Sequence, residues 1–183
     1  SDTVKIDPAT NFTGENNYYI LIDAGAFEDA ESNPFAGISS STNWNFKAED
    51  VTAPTVSNYN PADNATNVVV SSNLQLTFSE NVAKGTTGDI TIKKALDDSE
   101  YEVIPVTDAR VTVSDKVVTI NPTKELESQT EYYVIVDAAS FKDISSHANP
   151  FAGITGIGDW SFTAQDITPP TVSVTSSEPD PTN

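Results

Sequence analysis

The hexapeptide NPFAGI stands at residues 33–38 and again at residues 149–154. An identical stretch flanked by further matches means that one structural unit is written more than once, and this restricts the fold more tightly than any other feature of the chain. Upstream, YYILIDAGAFEDAESNPFAGI (18–38) aligns with YYVIVDAASFKDISSHANPFAGI (132–154), the second copy being two residues longer around His147 and Ala148. Downstream, NWNFKAEDVTAPTVS (43–57) aligns with DWSFTAQDITPPTVS (159–173). Further upstream, SDTVKIDP (1–8) answers SDKVVTINP (114–122) with one residue fewer.

The alignment sets a frame. Residues 54–168 read as one complete module, residues 1–53 as the C-terminal half of an equivalent module, and residues 169–183 as the start of a third. The chain therefore reads as a slice of a tandem array. Half a module cannot bury enough apolar surface to fold alone. That half is expected to take its missing strands from another chain or a neighbouring segment, or to stay partly disordered.

Within the complete module the apolar residues alternate with period two, the pattern of half-buried strands. NLQLTF (73–78) sends Leu74, Leu76 and Phe78 to one face, DITIKK (89–94) sends Ile90 and Ile92, and KVVTI (116–120) sends Val118 and Ile120. DWSFTA (159–164) does the same with Trp160 and Phe162, which makes Trp160 a core residue. YYVIVD (132–137) is apolar on both faces, as a central strand is. The strands read as 55–59, 73–79, 89–94, 101–113, 116–121, 131–137 and 159–165, with at most a short helical turn in 139–146. Pro105 interrupts the long strand; proline cannot donate to a ladder, so it marks an edge or a switch between sheets. About seven short strands separated by turn signals indicate an all-β, immunoglobulin-like two-sheet sandwich. Alternating strand direction then gathers the incoming linker, the 80–88 loop, the Ser114-Asp115 turn and the 137–158 loop at one pole. NPFAGI lies in that last loop, where Pro and Gly fix a turn and Phe151 is expected to plug the end of the sandwich.

PTVSNYNPADNATNVVVSSNLQLTFSENV (54–82) resembles the opening of the bacterial Ig-like domains of S-layer and large secreted surface proteins. The likeness rests on Pro54-Thr55-Val56, on the Asn60–Val68 turn and on Phe78-Ser79-Glu80. Leu126, Thr130, Tyr132, Tyr133 and Phe141-Lys142-Asp143 carry it through the second half. The family often has a short Ala-Gly-Asn turn after that Asp, whereas here ISSHANPFAGITGIG is longer. The resemblance implies an extracellular, cell-surface location and a stalk, filament, S-layer or adhesin role, with neighbouring modules or identical subunits as partners. Two other readings stay open. One is a module that binds a surface glycan or protein through the 137–158 loop, with Trp44, Trp160 or tyrosines as platform. The other is a spacer domain of a secreted hydrolase.

The chain contains no Cys and no Met, so disulfides, thiolate metal sites and cysteine nucleophiles are excluded. Its single histidine, His147, falls in the two-residue insertion and has no counterpart in the first copy. There is no G-x-S-x-G elbow, no phosphate-cradling glycine loop and no H-E-x-x-H, and an enzyme is not expected. A formal charge of −18 repels nucleic acid and anionic lipid headgroups. No apolar run approaches the roughly 20 residues of a membrane span.

Such a surface favours hard cations, calcium above all, which take carboxylate and carbonyl oxygens. A merely solvating acidic coat is the competing reading. Acidic positions recur as Asp2/Asp115, Asp23/Asp137, Asp29/Asp143 and Asp50/Asp166. By strand direction, Asp115, Asp137 and Asp143 lie at the linker pole, Glu80 joins them at the end of its strand, and Asp50 arrives on the linker. Asp50, Glu80, Asp115, Asp137 and Asp143 are thus the candidate calcium ligands of a module joint. The alternative is that Asp137 and Asp143 cap turns through backbone N–H groups. The linkers DVTAPT and DITPPT are short and proline-bearing, hence semi-rigid, and an array of such modules is expected to be rod-like.

Overall fold

The computed structural model describes residues 3–173. Two short strands, β1 (Asn17–Tyr19) and β2 (Asn45–Lys47), precede residues 54–168, called the module below. The module opens with β3 (Val56–Asn60), β4 (Ala65–Val68), β5 (Leu74–Phe78) and β6 (Val82–Lys84). It continues with β7 (Asp89–Lys94), β8 (Glu100–Pro105), β9 (Val111–Ser114) and β10 (Val117–Ile120). It closes with β11 (Glu131–Val136), β12 (Phe141–Asp143) and β13 (Ser161–Ala164).

Side-chain alternation builds two facing sheets, one ordered β3-β5-β10-β9 and the other β4-β13-β11-β7-β8. Leu74, Leu76, Ile90, Ile92, Val118 and Ile120 point inward and are fully buried. β11 is central, with β7 and β13 antiparallel on its two sides, and Tyr132, Val134 and Val136 fill the core. Trp160 is buried as its alternation with Phe162 requires, and its indole N–H donates to the Pro61 carbonyl at 2.9 Å.

The expected long strand over 101–113 divides between the sheets. β8 pairs with β7 in one, and β9 pairs with β10 in the other. The crossing follows Pro105 and is pinned from inside. Lys84 donates to the Asp108 and Val111 carbonyls, both at 2.9 Å. Arg110, the only arginine of the chain, reaches Glu102 at 2.5 Å and Asp108 at 3.0 Å. Burial alone would push the Glu102 carboxyl up, but donors from Thr123, Lys124 and Arg110 outweigh it and hold the group below its ordinary value.

Seven strands undercount the module. Among the described residues it has eleven, nine of them in the two main sheets. β4 lies parallel to β13, with Phe162 opposite Ala65 and Ala164 opposite Val68. The short helical turn expected in 139–146 is instead β12, paired with β6. Phe141 and Asp143 both face inward there, an i, i+2 relation that only a strand provides.

The two repeat copies share one local shape. Ile22 and Ile38 exchange backbone hydrogen bonds as Val136 and Ile154 do. The Phe35 amide donates to the Phe27 carbonyl as that of Phe151 does to Phe141. Gly37 and Gly153 both have positive φ, 85° and 94°, and a Cβ on either would sit 2.6 Å from the carbonyl oxygen of Ile22 or Val136. This close approach explains the glycine of NPFAGI. Surroundings differ sharply: Phe27, Phe35 and Trp44 are 39%, 40% and 41% exposed, against 0%, 6% and 0% for Phe141, Phe151 and Trp160.

Phe78 is where the module's end is sealed, with Phe141 at 5.6 Å and Phe151 at 5.1 Å between ring centroids. Phe78→Ala is expected to cost about 3–5 kcal/mol, read as a lower urea midpoint at unchanged slope.

Candidate metal centre

The site begins with a buried charge. Asp143 ends β12 and is 1% exposed. Its Oδ1 accepts from the Ser145 amide (3.2 Å), the Ser145 hydroxyl (2.9 Å) and the Asn149 amide (2.9 Å), and its Oδ2 accepts from Asn149 Nδ2 (2.8 Å). Burial pushes this carboxyl up, yet the donors of Asn149 and Ser145 prevail and hold it below its ordinary value of 3.8. The asparagine of NPFAGI is therefore a clasp on Asp143. The first copy repeats it: Asn33 donates to Asp29 from its amide and its side chain, both at 2.8 Å. Sequence reasoning missed Asn149 as a site residue, although its recurrence in the hexapeptide was the signal.

Asn149 also reaches the linker, donating from Nδ2 to the Asp50 carbonyl at 2.9 Å. Asp50 in turn accepts the Thr52 amide on Oδ1 at 3.0 Å, the same turn that Asp166 makes with Thr168 at 2.8 Å on the following linker. His147 Nδ1 lies 2.9 Å from Glu49 Oε1, so the two-residue insertion contacts the linker too. Both of these side chains are more than half exposed.

Against this clasp comes Glu80, two residues beyond β5. One carboxylate oxygen from each of Asp50, Glu80 and Asp143 lies within 4.8 Å of the others. Glu80 is held above its ordinary value of 4.5, first by burial and then by the charges of Asp143 and Asp50, with Lys116 opposing weakly. Three of the five expected ligands thus converge. Asp115 does not join them. It sits exposed at the β9–β10 turn with φ of 53°, and it offers its backbone carbonyl to the Val82 amide. Asp137 does not join either: its Oδ2 accepts the Asp89 amide at 3.0 Å and caps the start of β7. Trp160, once a candidate platform for a glycan, is in the core.

Oxygen donors of this kind suit hard cations such as calcium, and soft metals prefer the thiolate and thioether groups that the chain lacks.

The family model described as bacterial Ig-like domain matches residues 50–164. The chain belongs to that family. The matched span of this Ig-like chain begins at Asp50, so it contains all three converging carboxylates. No curated protein matches it. Two solved structures are similar in fold. CopC from Methylosinus trichosporium OB3b shares 14% identity at a TM-score of 0.45, covering 64% of this chain and 99% of that one. PcoC, a copper resistance protein from Escherichia coli, shares 21% at a TM-score of 0.38, covering 61% and 99%. Likeness at this level transfers no ligand. Among the described residues no helix is long and apolar enough to cross a membrane.

The opposite pKa displacements give opposite pH behaviour. Asp143, held low, stabilises fully above pH 3.8 and loses that contribution as pH falls through its folded value. Glu80, held high, is relieved when protonated. Asp143→Ala is expected to cost about 3 kcal/mol near neutrality by stranding the Asn149 and Ser145 donors, and less once pH has fallen through the folded value of that carboxyl. Glu80→Gln is expected to raise the melting temperature of metal-free protein at pH 7, an advantage that calorimetry should see disappear in acid.

Proposed function

We propose that this chain is a non-catalytic, structural or adhesive segment of an extracellular bacterial surface protein, built as a tandem array of Ig-like modules stiffened by a hard cation at each joint. The complete module spans residues 54–168, residues 1–53 carry the second half of an equivalent unit, and residues 169–183 open a third. Residues 174–183 of that last stretch lie outside the described residues. The observation that carries the reading is the joint. NPFAGI, repeated in sequence and shape, uses the two protons of its asparagine side-chain amide to hold a carboxylate and the backbone of the linker at once. A loop serving only its own module has no use for the second bond.

Asp50 belongs to the linker, while Glu80 and Asp143 belong to the module it enters. A cation shared among them would convert repulsion across the joint into attraction. Calcium is the species favoured by all-oxygen donors and an extracellular setting, where sites with dissociation constants of about 10⁻⁴–10⁻³ M are useful.

Two measurements test the proposal. Calcium added to metal-free protein at ten times its dissociation constant is expected to stabilise the fold by about 1.4 kcal/mol, and Glu80→Gln is expected to abolish that shift. No change at millimolar calcium would remove the cation from the reading. Separately, concatemers of residues 54–168 should show a maximum dimension in X-ray scattering that grows linearly with module number. Collapse into globular particles would reject the array.

A further inference from the structure

Residues 15–50 and 131–166 have the same local geometry and opposite environments. In the second copy, Phe141 and Phe151 close on Phe78, Trp160 lies 5.2 Å from Tyr59, and Tyr132 lies 5.0 Å from Tyr101. All of those partners fall within residues 54–113. The same segment closes the strand edges, β7 pairing with β11, β6 with β12 and β4 with β13. In the first copy the corresponding places are open. Phe27 and Phe35, with Val4 and Ile22, line an open groove of about 640 Å³ that is more apolar than polar. On the other side Phe12, Tyr18 and Phe46 pack on one another, with ring centroids 4.6–5.9 Å apart.

The geometry points to this face as a preformed docking site for a strand segment of the kind residues 54–113 form, supplied in cis ahead of Ser1. The inference rests on the repeat reading above and names what the half-module binds. Chemistry identifies the occupant. The groove between Phe27 and Phe35 matches the place where Phe78 seats between Phe141 and Phe151, so it calls for an aromatic ring at the end of an alternating Leu-x-Leu-x-Phe strand. The edge over residues 18–22 has the register that β7 fills on β11. Asn33 holds Asp29 as Asn149 holds Asp143. Among the described residues Asn33 has no linker carbonyl on its other amide proton, which Asn149 gives to Asp50. A second copy of this chain is a poorer occupant, because its own 54–113 segment is already engaged by its own 131–166. Exchange between copies leaves one half per chain uncovered however they pair.

The test extends the full chain with a duplicate of residues 54–113 fused ahead of Ser1. Amide exchange is then followed at residues 18–22 and 44–48. Protection there is expected to rise by at least about 100-fold, toward that of residues 132–136 and 160–164. The same extension carrying Phe78→Asp in its added copy should give no rise. Exchange at 18–22 that is identical with and without the extension would overturn the proposal. The unextended chain supplies an independent check. Phe27→Ser with Phe35→Ser should leave its melting temperature unchanged, and a substantial drop would mean that the face is already covered. Self-association in sedimentation, removed by that double substitution, would reassign the occupant to a second copy and likewise overturn the proposal. The concatemer scattering experiment does not involve residues 1–53, so the array reading stands or falls apart from this one.

Discussion

A sheet whose apolar side chains all face one way is stable only when a second sheet covers it, and the contact between the two layers governs everything else in this chain. Burial of Leu74, Leu76 and Phe78 from one sheet against Ile90, Ile92, Tyr132, Val134 and Phe162 from the other supplies the dominant favourable term. The polar devices are placed where the layers have to be joined. Pro105 ends one strand of the five-stranded sheet, and Lys84 and Arg110 hold the chain while it crosses to the four-stranded one. With a single arginine available, its use at a half-buried carboxylate pair rather than on the surface fits the bidentate geometry of the guanidinium. The same requirement for cover explains why two similar sequences present such different surfaces. Hydrogen bonding within 15–50 is local and forms anyway, whereas burial needs the facing layer.

The repeated hexapeptide has a distinct physical task at four of its positions. Asparagine neutralises the cost of burying an aspartate, phenylalanine seals the sandwich end, glycine lets the loop pass within contact of a β11 carbonyl, and isoleucine bridges back to that strand. The asparagine, itself buried, also reaches the linker. Packing of the sandwich end and attachment of the chain that enters it thus share one short stretch, the one that recurs unchanged in the repeat.

Much of this was legible in advance where a pattern has one physical meaning. Strict alternation in 73–78, 89–94 and 116–120 allows only a half-buried strand, and each is one. The proline in 101–113 signalled an edge or a switch between sheets, and β8 is both an edge strand and the last before the crossing. β4, β6 and β12 were illegible because three or four residues hold too few alternations to separate strand from turn, and their pairing comes from the partner rather than from propensity. For the metal centre, strand direction fixes the pole of the sandwich on which a residue lies but not its position around that pole. The sheets are about 10 Å apart and neighbouring strands about 4.8 Å, so residues sharing a pole need not meet. Asp137 leaves β11 beside the start of β7, exposed at the end of two central strands of the five-stranded sheet. Glu80 leaves β5 on the other sheet, and β12 carries Asp143 across to it. Asp115 rides on the β9–β10 hairpin, whose tip stays in solvent.

The joint combines two kinds of restraint with different sensitivities. The bond from Asn149 to the Asp50 carbonyl is between uncharged groups and does not vary with pH or ionic strength. The contact among Asp50, Glu80 and Asp143 is repulsive as it stands, and Asp143 cannot relieve it by protonation because its donors favour the charged form. Relief falls to Glu80, whose charge burial and the neighbouring carboxylates disfavour, through a proton or a cation. At neutral pH the proton is scarce. The arrangement therefore holds the linker by a neutral bond beside three carboxylates whose mutual repulsion is felt most where Glu80 is ionised.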